Sequence, residues 1–177
     1  MNRNSVFLLV AALIILTVPS FAQREASPQA AARIQKEVRH ELVMLPFLTV
    51  FDNLAFQVNG YDVTLMGQVT KPSLKSDAEN VVKKIEGVEK VDNQIDVLPP
   101  SPMDDRLRRS LYRAIYGYPT LQKYALPVIE PIRIVVKNGN VTLEGVVDSE
   151  ADKNIAGMRA RGVSGTFSVT NNLVVAK

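Results

Sequence analysis

Hydrophobic positions along the chain fall into two blocks of one design. In Val63-Thr-Leu-Met-Gly-Gln-Val69 the inward set Val63, Leu65, Gly67 and Val69 alternates with Thr64 and Gln68. In Val141-Thr-Leu-Glu-Gly-Val-Val147 the set Val141, Leu143, Gly145 and Val147 alternates with Thr142 and Glu144. A period of two marks a β-strand with one wet face. Leu54–Val58 and Ile132–Val136 precede these strands across Asn59-Gly60 and Asn138-Gly139, pairs that favour positive φ and predict tight hairpin turns. The glycine in the third inward place predicts close packing by another element, and a helix is the expected neighbour.

The period then changes. From Ser73 to Glu86 the residues Leu74, Ala78, Val81, Val82 and Ile85 recur at helical spacing with Lys75, Asp77, Glu79, Lys83 and Lys84 between them, and Gly87 stops the run. Its counterpart, Ser149 to Arg161, draws on Ile155, Ala156, Met158 and Val163. It is less amphipathic, and Gly157 and Gly162 predict a short or bent helix. The strands Val91–Val97 and Phe167–Val175 close the two blocks. A further helix leads each hairpin, with Ile34, Val38 and Leu42 inward in one and Leu107, Leu111, Ala114 and Ile115 in the other. The expected fold is therefore α+β: two tandem α-β-β-α-β units, each a small three-stranded mixed sheet with two helices packed on it.

Duplication underlies the pattern. Positions 63–97 map onto 141–175 at an offset of 78 without a gap, with 11 identities in 35 positions. Leu98-Pro-Pro-Ser-Pro102 lies between the copies as a stiff connector, followed by Asp104 and Asp105 where acidic residues suit a helix start. The expected division is a signal peptide over residues 1–22, a first domain over 23–98, a Pro-rich linker over 99–103 and a second domain over 104–177. Units this small hold a core with little to spare, so the two are expected to dock on each other.

The signal peptide is read from Arg3, an uncharged run of 13 residues from Val6 to Val18, and the small residues Ser20 and Ala22 ahead of the expected cleavage. That run is shorter than the about 20 residues a spanning helix needs. The chain has no cysteine, so no disulfide framework holds it and buried apolar surface must. A net charge of +3 is too small to argue for nucleic acid, and no nucleic-acid partner is expected.

The hairpin pattern x-Asn-Gly-x-Val-Thr-Leu-x-Gly-x-Val, the lysine- and alanine-bearing helix and Gly87-Val-Glu-Lys-Val-Asp-Asn-Gln-Ile95 resemble the BON domain, the bacterial OsmY and nodulation domain. The resemblance runs from about Arg33 to Val175 and covers both copies. It implies a periplasmic or cell-envelope location and attachment to phospholipid membrane or other envelope components, often under envelope stress. It implies no catalytic residue and no cofactor.

The residues themselves offer little chemistry. The single histidine, His40, sits in a helix beside Arg39 and Glu41 without the partners a metal or an acid–base site needs. Asp104 and Asp105 are explained by helix-start electrostatics. Asn140-Val-Thr142 fits a glycosylation pattern inside a strand, and neither Asn-Gly turn makes a phosphate-binding loop. No enzymatic activity, cofactor or metal is expected.

One cluster stands out. Arg108, Arg109, Tyr112, Arg113, Tyr116, Tyr118 and Tyr124 gather on one helix and the loop after it, with Arg108, Tyr112 and Tyr116 one turn apart on one side. Such a face suits anionic lipid headgroups, with tyrosine at the interface and arginine on the phosphates. The competing reading spends the tyrosines on covering the sheet or the other domain. A second patch, Leu42-Val-Met-Leu-Pro-Phe-Leu-Thr-Val-Phe51, is nearly uncharged, with Pro46 expected to end the leading helix near Leu45. It is either buried against a sheet or the partner domain, or it is a docking surface. The expected partner is anionic phospholipid, met peripherally, or an envelope protein engaged as by a periplasmic interaction or chaperone-like module.

Overall fold

Proline within the first turn and serine just before it start both leading helices, because proline gives up no helical hydrogen bond there and the serine hydroxyl satisfies a free amide. The computed structural model describes residues 27–176; the expected signal peptide over residues 1–22 lies outside them. The first repeat runs α1 (Pro28–Val43), β1 (Asn53–Asn59), β2 (Asp62–Val69), α2 (Pro72–Val82), β3 (Lys90–Asn93) and β4 (Asp96–Val97). The second runs α3 (Pro102–Tyr116), a 3-10 segment (Pro119–Ala125), β5 (Ile132–Lys137), β6 (Asn140–Val147), α4 (Glu150–Arg161), β7 (Ser168–Asn171) and β8 (Val174–Val175). Ser27 accepts from the Ala30 amide at 3.2 Å, Ser101 from Asp104 at 3.1 Å and Ser149 from Asp152 at 3.1 Å. Because Ser101 is a cap, α3 begins at Pro102, inside the expected linker.

The sheets are mixed, as the α-β-β-α-β order requires. β1 pairs with β2 antiparallel, and after the α2 crossover β3 and β4 pair with β2 in parallel; β5 to β8 repeat this. The offset of 78 extends through the hairpins, for Leu54 faces Gly67 and Ile132 faces Gly145. The turns are filled differently. Asn59 is still paired with Asp62, leaving Gly60-Tyr61 as the turn with φ 64 at Gly60, whereas Asn138 and Gly139 carry φ 54 and 76. Positive φ at the first central position or at both gives the two hairpin turns whose twist matches the strands.

Gly67 and Gly145 do not meet a helix, contrary to the expectation from the strand pattern. Their φ values are 113 and 118, and a Cβ there would collide with the carbonyl oxygens of Asn53 and Pro131, at the start of the neighbouring strand. Each glycine thus marks where the hairpin partner enters the sheet at close range.

The third strand of each sheet is interrupted, and one asparagine bridges the gap. Asn93 Nδ2 donates to the Lys75 carbonyl at 2.8 Å while its Oδ1 accepts from the Ile95 amide at 3.2 Å. Asn171 does the same with Lys153 at 2.8 Å and Leu173 at 3.3 Å. The identity at 93/171 therefore records one tie between strand and helix, made to a backbone carbonyl of the helix in each repeat. α2 ends at Val82, earlier than expected, and tight turns carry the chain to Gly87 at φ 88. α4 is continuous across Gly157, with Gly162 as its C-cap.

Two apolar cores result, and one residue crosses between them. Ile34, Val38, Leu65, Leu74 and Ile95 centre the first. Leu111, Ile115, Ile134, Leu143 and Leu173 centre the second, which also contains Val50 from the first repeat. The Ile134 amide donates to the Val50 carbonyl at 2.9 Å, and Arg133 Nη1 donates to the Thr49 carbonyl at 3.0 Å. Buried Asp52 fixes this loop by accepting from the amides and hydroxyls of Thr49 and Thr70 at 2.6–2.9 Å. The expected docking of the two units is thus made by residues 49–51, with the exposed Lys137–Asp96 ion pair at 2.7 Å as a further link between the repeats.

Candidate lipid-facing groove

A helix that packs on a sheet divides its residues by angle, and α3 divides the arginine–tyrosine cluster. Leu107, Leu111 and Ile115 face the sheet, and Arg108 and Tyr116 are drawn in beside them at 4% exposure each. Arg108 donates to Asp105 at 2.6 Å and to the Val136 carbonyl at 2.6 Å, while its Nε is buried without a partner. The Tyr116 hydroxyl donates to the Ile132 carbonyl at 2.6 Å and accepts from the Ile132 amide at 3.2 Å. Burial pushes this phenol well above its usual range, only partly offset by the bond to the carbonyl.

Tyr124 is also interior. The expected loop Tyr118–Tyr124 is largely a 3-10 segment, with Leu121 and Tyr124 buried. The Tyr124 hydroxyl donates to Asp152 at 2.7 Å and accepts from the Asp148 amide at 2.7 Å. Burial raises the Tyr124 phenol above its ordinary value. Lys123 bridges Asp148 at 2.7 Å and Asp152 at 2.9 Å, and hydrogen bonds to those two carboxylates raise its ammonium above the usual lysine range. Burial opposes ionisation of Asp152, but the hydrogen bonds of Lys123, Tyr124 and Ser149 outweigh it and hold the carboxyl below its ordinary value. Arg108, Tyr116 and Tyr124 therefore serve the fold of the second repeat, and they present no free face to a ligand.

The other four are placed differently. Arg109 and Arg113, one turn apart, are exposed, and neither enters an ion pair among the described residues. Half-buried Tyr112 lies between them in sequence, with its ring 4.9 Å from Tyr116 and edge-on to Phe51 at 6.4 Å. Together they line a groove of about 550 Å³ whose other wall is Leu48–Phe51 of the first repeat and whose rim carries Glu130. Tyr118 stands apart from this groove, under the guanidinium of Arg159 at 5.0 Å.

The wall from the first repeat was not assigned to this site by sequence reasoning, although the apolar stretch 42–51 was its signal. That stretch divides. Leu42, Leu45 and Val50 are buried, whereas Val43, Met44 and Phe47 are exposed, with Lys71 lying 4.7 Å over the Phe47 ring. A second hollow, of about 460 Å³, lies at the hairpin-turn end between Met103, Asp104, Arg106, Gly139 and Phe167. It offers one arginine. Its carboxylate is already engaged in the fold, because Asp104 accepts from the Asn138 and Gly139 amides at 2.8 and 2.9 Å.

His40 is exposed on α1. Among the described residues, no three or more His, Cys, Asp or Glu side chains are grouped to hold a metal ion, and no helix is long and apolar enough to cross a membrane.

No curated protein sequence matches the chain. Two solved structures of CdsD, a structural protein of the type III secretion system of Chlamydia trachomatis, are similar in part. One has 14% identity and a TM-score of 0.29 over 82% of this chain and 94% of that one. The other, its C-terminal domain, has 14% identity and a TM-score of 0.27 over 80% and 96%. A profile of the BON domain matches residues 30–99 and, separately, residues 104–177. The chain belongs to the BON domain family and carries two copies of that domain in tandem.

Proposed function

We propose that this protein is a non-enzymatic attachment protein of the cell envelope that holds anionic phospholipid headgroups on the Arg109–Tyr112–Arg113 face of its second repeat. The observation that carries the reading is the pair of exposed arginines that enter no ion pair among the described residues, sharing one groove with a half-buried tyrosine, an apolar wall and, on its rim, Glu130. Basic side chains at an anionic bilayer contribute about 1 kcal/mol each, and a tyrosine ring beside them suits the headgroup level. Buried Tyr116 backs this face through its ring contact with Tyr112 at 4.9 Å, and Arg108 and Tyr124 are given to the fold. Tyr118 lies apart from this face, under Arg159.

Membership of the BON family, whose members associate with phospholipid and the envelope, supports this reading. A periplasmic or otherwise exported location agrees with it and with the signal-like segment over residues 1–22. Co-sedimentation with phosphatidylglycerol vesicles against phosphatidylcholine vesicles tests the function: preferential pelleting with the anionic lipid, lost in high salt, is the expected result.

A second reading, a periplasmic protein-interaction or chaperone-like module in envelope stress, draws on the exposed side chains Val43, Met44 and Phe47. Capture of an envelope protein that persists in high salt, without lipid preference, would favour it.

A further inference from the structure

The second repeat is longer than the first between its leading helix and its hairpin. Ile34, Val38 and Leu42 correspond to Leu107, Leu111 and Ile115 at a separation of 73, whereas the hairpin strands correspond at 78, so five residues are added. The longer connection holds the 3-10 segment and then the tip Leu126-Pro127-Val128-Ile129. Leu126 is 84% exposed and Val128 100%. The tip has no charge, and Pro127 removes one backbone donor.

Its two stems are fixed. Tyr124 is tied to Asp152 and Asp148 on one side, and fully buried Ile132 is tied to Tyr116 on the other. The next residue after the tip, Glu130, lines the groove with Arg109 and Arg113. Two peptide links separate Val128 from Glu130, so their Cα atoms lie at most about 7.6 Å apart. An apolar point beside two exposed arginines that form no ion pair among the described residues matches a partner that is anionic outside and apolar just beneath. A bilayer surface has that order of layers; a protein groove of apolar character would leave the arginines idle.

We infer that Leu126–Ile129 is a membrane-inserting tip, entering below the headgroups while Arg109 and Arg113 hold the phosphates. The inference rests on the lipid-binding reading of the groove and specifies which part of the chain leaves water. Exposed backbone amides at the tip limit insertion to the interfacial layer.

The chain contains no tryptophan, so Val128→Trp supplies a single indole. With phosphatidylglycerol vesicles carrying bromine on their acyl chains, its fluorescence is expected to shift to the blue and to be quenched. A Phe167→Trp indole is expected to do neither, because Phe167 is 85% exposed beside the hairpin turn, where its amide donates to the Gly139 carbonyl. In co-sedimentation, Leu126→Ser with Val128→Ser should weaken vesicle binding about tenfold or more, and Phe167→Ser should leave it unchanged. Normal pelleting of the serine variant with an unquenched indole at 128 overturns the tip and leaves the groove standing. Failure of the unaltered protein to pellet overturns both.

Discussion

The Ile134 amide donates to the Val50 carbonyl at 2.9 Å, and through this bond a loop of the first repeat lies along the edge strand of the second. β5 is an edge of its sheet, and an uncovered edge invites pairing with other chains. Val50 also enters the second core at 6% exposure. The groove is a by-product of this docking, since one wall comes from each repeat.

Val50→Ala should therefore lower stability by about 1–2 kcal/mol, by lost burial and an unfilled space. The effect belongs to the second repeat, although the residue precedes it in sequence. Urea denaturation followed by circular dichroism checks this. A loss under 0.5 kcal/mol, on the order of ordinary surface substitutions, would mean that the loop does not contribute to that core.

Neighbouring arginines on α3 should behave oppositely. Arg108→Ala leaves the Val136 carbonyl without its donor and opens a hole in a buried site, at a cost of about 2–4 kcal/mol. Arg109→Ala should stay within about 0.5 kcal/mol. Thermal melts of the two variants provide the comparison, and equal stability would contradict the division of the helix into inner and outer faces.

Gly157 and Asn171 form a testable couple. A Cβ on Gly157 would stand 2.8 Å from Asn171 Nδ2, displacing the amide that is bonded to the Lys153 carbonyl. Gly157→Ala should be neutral or destabilising in the natural chain, because a helix gain of about 1 kcal/mol is offset by the lost tie. In an Asn171→Ala background the same change should stabilise by about 1 kcal/mol. A double-mutant cycle by denaturant melts reads the coupling, and equal effects in both backgrounds would sink it.

Exposed Lys123, joined to buried Tyr124 and Asp152, predicts a pH profile. Asp152 is held below its ordinary value, so the unfolded chain binds that proton first. Its stabilisation is present above about pH 4 and lost below. Glu79, lowered by its bonds to Lys83 and Asn93, adds to the same acid limb. Lys123, Tyr116 and Tyr124 are raised, so their share is present below about pH 10 and lost above. Asp152→Asn should make the acid limb of the melting temperature shallower. An unchanged acid limb would contradict the depressed carboxyl.

Most of the fold was legible because it was written twice: the Val-Thr-Leu-x-Gly-x-Val strands and the 93/171 asparagines recur at one offset. Local patterns also found the Arg/Tyr cluster, whereas Ser101, read as linker, proved to be the cap of α3. They did not resolve which cluster members face inward. Arg108 and Arg109 differ by one helical step, and only the position of the Val136 carbonyl decides that Arg108 is interior. Equally hidden was the neighbour of Gly67 and Gly145, since a strand crossing at close range and a packed helix leave the same glycine. The groove wall at 48–51 depends on contacts between residues about 60–80 positions apart, which periodicity cannot show.

Charge reversal in the groove tests the central reading most directly. Arg109→Glu with Arg113→Glu, compared with Arg106→Glu and Arg161→Glu, changes net charge equally while placing the reversal outside the groove. With both variants folded by circular dichroism, phosphatidylglycerol co-sedimentation should be abolished in the first and at most weakened in the second. Equal pelleting of the two would contradict a lipid site at Arg109 and Arg113.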